Sequence, residues 1–331
     1  MWLTAQQQTI PGLFFDGMAS LPASLKPERK VVLQMSAQTA AIESRNKRID
    51  QVLVEVAKIY DSLQLPYLLL KGPAVAAAYR NPLHRTGGDL DFFLAPDDCR
   101  KAQETLFGDT TLASSTARHY SGKLHGVHIE NHFRLAHSSL KRYRDFEREL
   151  LSDRIRLPLH ELDMDGYPVK CPSPTFQALF MLEHMAFHLP TGLGLRQLCD
   201  WARYLSFYSD RIDRTEAAGI IHKYGFERIA ILFTILCIDY LGMAPGHALL
   251  SVERDKGTER DIAYVLGLIL HGGNFGRNYD ALHSSRKHQR LPTLLRKPIT
   301  FAVLLRNRRK YDLIAPDLWR KTVWDSIVRH L

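Results

Sequence analysis

Between Gly87 and Leu94 the chain reads Gly-Gly-Asp-Leu-Asp-Phe-Phe-Leu, and this stretch restricts the fold more than any other. Side chains alternate across a strand. Leu90, Phe92 and Leu94 therefore require a core on one side, while Asp89 and Asp91 require water or a cation on the other. A sheet with one packed face and one open face meets both demands, and it sets the two carboxylates ~6.5–7 Å apart along the strand. Hard oxygen donors of this kind suit Mg²⁺ or Mn²⁺. A solvated strand face is the plainer alternative, and an Asp-x-Asp pair alone does not decide between them.

The flanking sequence sharpens the choice. Tyr67-Leu68-Leu69-Leu70 is a short, strand-like apolar run, closed by Lys71-Gly72-Pro73 and followed by an Ala-rich helical stretch from Ala74 to Tyr79. A strand-to-helix turn at Gly72 lets backbone N–H groups approach a phosphate, and Lys71 and Arg85 stand on either side to neutralise it. Later, Val127 to Phe133 reads as a strand on which His128, Glu130 and His132 share one face. Glu130 is the candidate third carboxylate, either holding a second ion or accepting a proton. Two ions ~3.5–4 Å apart stabilise both the attacking and the leaving oxygen in phosphoryl transfer.

Around this stretch the periodicity changes twice. Ile42, Ile49, Val52, Leu53, Val56 and Ile59 recur at helical spacing and predict a helix from about Ser36 to Leu63. Prolines at 11, 22 and 27 break the segment before it. A helix is expected from Pro96 to Phe107, one from Ser139 to Leu151, and a hairpin around Asp163-Met164-Asp165-Gly166 whose first strand starts near Arg156. After Pro174 the pattern is helical, with candidates at 176–188, 193–207, 214–224, 227–241 and 258–270; a polar loop at 272–292 and two short helices at 299–310 and 316–330 follow. The expected fold class is α+β, with an α+β first half followed by an all-helical half. The expected organisation is an N-terminal segment 1–35, a catalytic domain 36–170, a helical domain 171–284 and a basic C-terminal segment 285–331.

The chain has 331 residues, 45% hydrophobic and 24% charged, which is ordinary globular composition. Its net charge of +9 is carried by the C-terminal segment: from Ser285 onward there are 12 basic and 3 acidic residues, and the remainder is neutral. Such a segment is either a solvated basic helix face or a contact for nucleic acid. Cys99, Cys171, Cys199 and Cys237 lack zinc or disulfide spacing. The N-terminus does not read as a signal peptide, and no apolar run approaches the ~20 residues of a membrane span. A soluble, cytoplasmic protein is expected.

Leu-Leu-Leu-Lys-Gly, Tyr79-Arg80-Asn81-Pro82, Arg85-Thr86-Gly87-Gly88-Asp89-Leu90-Asp91 and Ile129-Glu130-Asn131-His132-Phe133-Arg134-Leu135 together resemble an uncharacterised bacterial nucleotidyltransferase family of the polymerase-β-like nucleotidyltransferase superfamily. In the second half, Leu182-Glu183-His184-Met185-Ala186-Phe187-His188 and Leu195-Arg196-Gln197-Leu198-Cys199-Asp200 fit the same family. The resemblance implies a polymerase-β-like core, a mixed sheet with flanking helices, and transfer of a nucleoside monophosphate from an NTP, with ATP the expected donor. The acceptor is an unknown hydroxyl or phosphate on a small molecule, protein or RNA. Asp89, Asp91 and Glu130 would be the catalytic and metal-binding residues, with Lys71, Gly72, Arg85 and Gly88 binding the nucleotide. Pro73 stands where a triphosphate-binding Ser is common, so one hydroxyl is missing. The alternative is a catalytically silent module of the same fold that acts through its basic C-terminal segment. His184 and His188, four apart, lie on one helix face and could make a metal pair, but they lack the Glu of a metalloprotease motif. Near Asp200 they could instead help position acceptor or base, and the plainer reading is a hydrogen-bonded structural role.

Overall fold

A computed structural model describes residues 1–108, 118–190, 192–272, 308–314, 317 and 319–320, and the backbone of 114–115. Two compact units are present. The first comprises Met1–Ala136, Glu147–Ala178 and Phe207–Ile212, and the second comprises His137–Phe146, Leu179–Ser206 and Asp213–Leu331.

The first unit is built on a five-stranded sheet in the order β1-β2-β5-β4-β3. These strands are β1 (Leu68–Leu70), β2 (Leu90–Phe93), β3 (Ser114–Ser115), β4 (His119–Leu124) and β5 (Val127–His132). β2 runs parallel to β5, and the other pairings are antiparallel, so the sheet is mixed as expected. His125 and Gly126 join β4 to β5 with φ of 49° and 80°, the left-handed pair that a two-residue hairpin requires.

One face of the sheet is closed by helices α3 (Arg29–Ser62) and α5 (Pro96–Phe107). Val52, Leu53, Val56 and Tyr60 of α3 and Cys99 and Ala102 of α5 bury against Leu69, Leu90, Phe92, Leu94, Val127 and Ile129. Phe92 sits edge-on to Tyr60 at 5.3 Å and to Tyr67 at 5.8 Å. Beneath them, Tyr60 donates to Asn131 Oδ1 (2.7 Å), Asn131 Nδ2 to Gln103 Oε1 (3.3 Å), and Gln103 Nε2 to the Ser121 carbonyl (3.2 Å). This face is the packed side that the Leu90-Phe92-Leu94 pattern demanded.

The N-terminal segment is more regular than its prolines suggest. Pro11 opens α2 (Pro11–Ala19), which follows α1 (Trp2–Gln7), because proline is tolerated in a first helical turn. Pro27 precedes α3, which therefore starts at Arg29, seven residues before the hydrophobic period becomes visible. Asp16 of α2 and Glu43 of α3 hold the His84 ring between them at 2.6 Å on either side. Asn46 of α3 donates to the carbonyls of Leu83 (2.6 Å) and Arg85 (2.8 Å). The loop that enters β2 is thus fastened along its length.

α4 (Gly72–Ala76) follows β1, α6 (Lys141–Leu150) follows β5, and a short α7 (Asp153–Arg156) takes the place of the expected start of the hairpin. The hairpin proper is β6 (His160–Met164) and β7 (Tyr167–Cys171). Its turn, Asp165-Gly166, has φ of 52° and 81°. That tight turn forces Met164 opposite Tyr167, so the register leaves Arg156–Leu159 without a strand partner.

The second unit is helical, as anticipated. It takes residues from Leu179 onward in α8 (Pro174–His188), then α9 (Leu195–Phe207), α10 (Arg214–Lys223), α11 (Glu227–Leu241), α12 (Lys256–Gly272) and α13 (Arg308–Ile314). α11 is apolar nearly all round and packs against α10, α12 and α13. Arg228 binds Asp261 at 2.8 Å, and Arg309 adds a second contact to the same carboxylate at 3.3 Å. Most of the basic segment 285–331 and the loop 273–292 lie outside the described residues. Within the described part, Arg309 also lies over the Tyr264 ring at 4.3 Å. At least one of the basic residues therefore serves the unit's own packing. Among the described residues no helix is long and apolar enough to cross a membrane.

Candidate active site

The open face of the sheet lies wholly within the first unit. The parallel pairing of β2 with β5 sets Asp91 opposite Glu130 and Phe93 opposite His132, and β4 adds Ser121 opposite Glu130 and His119 opposite His132. Alternation then gathers Asp89, Asp91, His128, Glu130, His132 and His119 on one face.

Asp91 is the buried anchor of this face. Its Oδ1 lies 3.3 Å from Lys71 Nζ and 2.9 Å from His132 Nε2, and the residue is only 3% exposed. Burial alone would raise its carboxyl, but the Lys71 ammonium and the His132 hydrogen bond hold it well below the usual carboxylate range. His132 also reaches Glu130 Oε2 at 3.3 Å. Burial opposes its charge, yet the two carboxylates raise the imidazole above its ordinary value. Glu130 is in turn lowered against its burial, chiefly by the hydrogen bond to His132. Asp89, exposed at the mouth, moves the other way: the Asp91 carboxylate beside it raises its pKa.

Those opposing shifts describe three carboxylates whose charges are crowded and only partly balanced. One oxygen or nitrogen from each of Asp89, His128 and Glu130 falls within a 4.8 Å envelope, as does one from each of His119, Glu130 and His132. Carboxylate oxygens with imidazole nitrogens form a donor set that fits a divalent cation. Asp89 and Glu130 belong to these groups directly. Asp91 is held beside them by Lys71 and His132.

A cavity of about 360 Å³ opens next to Asp89. Gly72, Arg85, Gly88 and Asp89 line it, together with Asp50, Asp163 and Asp165. Four of the residues picked from the sequence therefore meet at one space. Gly72 has φ +44°, and a Cβ there would stand 3.4 Å from the Asp89 carbonyl, so the turn both needs and exploits glycine. A Cβ on Gly88 would meet nothing within 4 Å, which leaves the backbone approachable. Arg85 is 5% exposed. Lys71, expected beside a phosphate, turns its ammonium to Asp91. Pro73 is a lining residue and brings no hydroxyl to this space.

Three contributors reach the site through pairing or packing that no local pattern carries. His132 was visible as a face-mate of Glu130, but its bond to Asp91 depends on the β2–β5 register. His119 arrives by the antiparallel β4–β5 pairing. Asp50, on α3, reaches the cavity wall through packing that no local pattern carries; burial and then Asp165 raise its carboxyl to about 6.

Comparison with known proteins bears on this geometry. The sequence model of a family described as "Uncharacterised nucleotidyltransferase" matches residues 1–242, well over half of the 331. No curated protein matches. Among solved structures, the chain is similar to an antigenic nucleotidyltransferase-like protein from Paracoccidioides brasiliensis, at 12% identity and a TM-score of 0.36. That match covers 64% of this chain and 96% of the other, and at so low a score it carries no argument.

Proposed function

The chain belongs to the uncharacterised nucleotidyltransferase family, and on that premise we propose that it transfers a nucleoside monophosphate from an NTP, ATP first among them, to an acceptor hydroxyl or phosphate. The acceptor oxygen forms a bond to the α-phosphorus, the proton of an acceptor hydroxyl passes to solvent water, the bond from that phosphorus to the bridging oxygen breaks, and pyrophosphate leaves with the electron pair.

The observation that carries this reading is the convergence of Asp89, Asp91 and Glu130 on one sheet face, beside a cavity walled by Gly72, Gly88 and Arg85. Asp89, Asp91 and Glu130 would hold Mg²⁺ or Mn²⁺. A divalent cation held there supplies charge neutralisation for the triphosphate and for the oxygens that gain charge during transfer. Glu130, lowered by its hydrogen bond to His132, is a weak base, which favours a ligand role over proton abstraction. His132 and Lys71 keep Asp91 anionic and fixed in direction, so the carboxylate needs no rearrangement when a cation and nucleotide arrive. Arg85 balances phosphate charge from the cavity wall, and the two glycines leave room for the triphosphate chain.

Incubation with α-labelled NTPs, Mg²⁺ and a mixed metabolite and RNA extract should transfer label to an acceptor and release pyrophosphate. Asp91→Asn, checked as folded by circular dichroism, should lose this by at least about 10²-fold, the usual scale for removing one charge-stabilising group from a reaction. Label transfer by the folded variant at the wild-type rate would overturn the assignment.

A further inference from the structure

The second unit contains a histidine cluster outside the site proposed for nucleotidyl transfer. His184 and His188 stand one turn apart on α8, and His137 meets them from the segment just before α6. His137 Nε2 lies 3.2 Å from His184 Nδ1. The ring centroids of His184 and His188 are 4.4 Å apart, and those of His137 and His188 are 5.6 Å apart. One nitrogen from each of the three falls within a 4.8 Å envelope. From these contacts we propose that His137, His184 and His188 form a binding site for a zinc-class transition-metal dication, oriented by Glu183.

The distances suit such an ion. Zn–N bonds of ~2.0–2.1 Å in a tetrahedral site place neighbouring ligand nitrogens ~3.3–3.4 Å apart, close to the 3.2 Å between His137 and His184. The second observation is the carboxylate behind the ring. Glu183 is 1% exposed, and its Oε2 lies 2.7 Å from His137 Nδ1 while its Oε1 accepts from the His137 backbone N–H at 3.3 Å. With His137 Nδ1–H donating to Glu183, the imidazole lone pair lies on Nε2, the nitrogen facing His184. This carboxylate–imidazole pairing is how metal-bound histidines are held in one tautomer and one orientation.

The donor set selects the class of ion. Three imidazole nitrogens suit Zn²⁺ and its first-row neighbours and do not suit Mg²⁺ or Ca²⁺, which prefer oxygen. Phe187 at 4.7 Å from the His137 ring and Phe180 at 6.2 Å from the His184 ring form an apolar wall around the nitrogens. Three protein ligands leave a fourth tetrahedral position for water or another oxygen donor. The site lies entirely in the second unit and stands or falls independently of the catalytic reading.

The test uses the full chain, stripped with a chelator and titrated with Zn²⁺ against a chromophoric competitor. Co²⁺ then serves as a spectroscopic probe of tetrahedral nitrogen coordination. Wild type should bind one equivalent at this site, counted apart from any ion at the Glu130 face, and show tetrahedral Co²⁺ bands. His184→Ala and His188→Gln should each lose that equivalent, and Glu183→Gln should weaken it by about 10–100-fold. Asp89→Asn combined with Glu130→Gln should leave it unchanged, which separates this site from the imidazoles near Glu130. Circular dichroism identifies the folded variants, and two histidine substitutions guard against the failure of one. Binding that survives both histidine changes, or disappears with the Asp89/Glu130 pair, or is absent from folded wild type, overturns the proposal.

Discussion

Removing a proposed metal ligand should make the cation-free protein more stable. The Asp89 carboxylate is exposed beside that of Asp91, and its raised pKa records their repulsion. With about 7 Å between the charges, Coulomb's law gives about 0.6 kcal/mol in water and about 2 kcal/mol at an effective dielectric of 20. The exposure of Asp89 places the true value toward the lower end. Asp89→Asn should therefore stabilise the cation-free protein by about 0.5–1 kcal/mol, or about 1–4 °C in melting temperature for a unit of this size. The pH dependence has a definite sign. A carboxyl raised on folding costs nothing where it is protonated both folded and unfolded, and costs the full amount above its raised value. The gain from Asp89→Asn should be complete at pH 8 and should shrink toward pH 4. With Mg²⁺ and NTP the order should reverse, because a ligand at 100 times its Kd adds about 2.7 kcal/mol, and only wild type retains the ligand set. Thermal melts in chelator and in Mg²⁺ with each NTP, at pH 8 and pH 4, read all four conditions. A variant that melts below wild type in chelator at pH 8 would refute the reasoning.

Three further outcomes follow from the same geometry. Asp50→Asn should stabilise the protein by about 1 kcal/mol at pH 8, discounted for its partial exposure, and by nearly nothing below pH 3.8; urea titrations across the window from 3.8 to about 6 check this, since burial and Asp165 raise the Asp50 carboxyl over that range. Tyr60→Phe strips the donor from buried Asn131 Oδ1 and should cost about 1–2 kcal/mol in urea unfolding. Arg85→Met should weaken NTP binding by about 10-fold or more while sparing the metal-free fold, as measured by calorimetry and circular dichroism.

The parts of the site that lie close together in sequence were legible, and those assembled by packing were not. Alternation alone separated Asp89 and Asp91 from Leu90 and Phe92, and it put His128, Glu130 and His132 on a common face. The Gly72 turn announced itself because strand, glycine and helix succeed one another within a few residues. What stayed hidden was the destination of flexible charges. Lys71 has several rotatable bonds, and only the β1–β2 register, with Leu70 opposite Asp91, shows that its ammonium meets that carboxylate. Asp50 and the Asp163–Asp165 turn come to one cavity from elements more than a hundred residues apart. In the second unit, His184 and His188 were visible as an i, i+4 pair, but His137 lies 47 residues from His184 and has no periodic signal. The early start of α3 was obscured because Arg29 to Gln34 carries no clean apolar stripe, while Pro27 marks the boundary.

Nucleotidyl transfer at this site requires that Asp89 and Asp91 hold a divalent cation together with an NTP. Calorimetric titration of ATP, GTP, CTP and UTP into wild-type and Asp89→Ala/Asp91→Ala protein, with and without Mg²⁺, tests it most directly. Mg²⁺-dependent binding of at least one nucleotide, lost in the folded double variant, is the predicted result. Binding of none by folded wild type, or equal binding by the double variant, would contradict it.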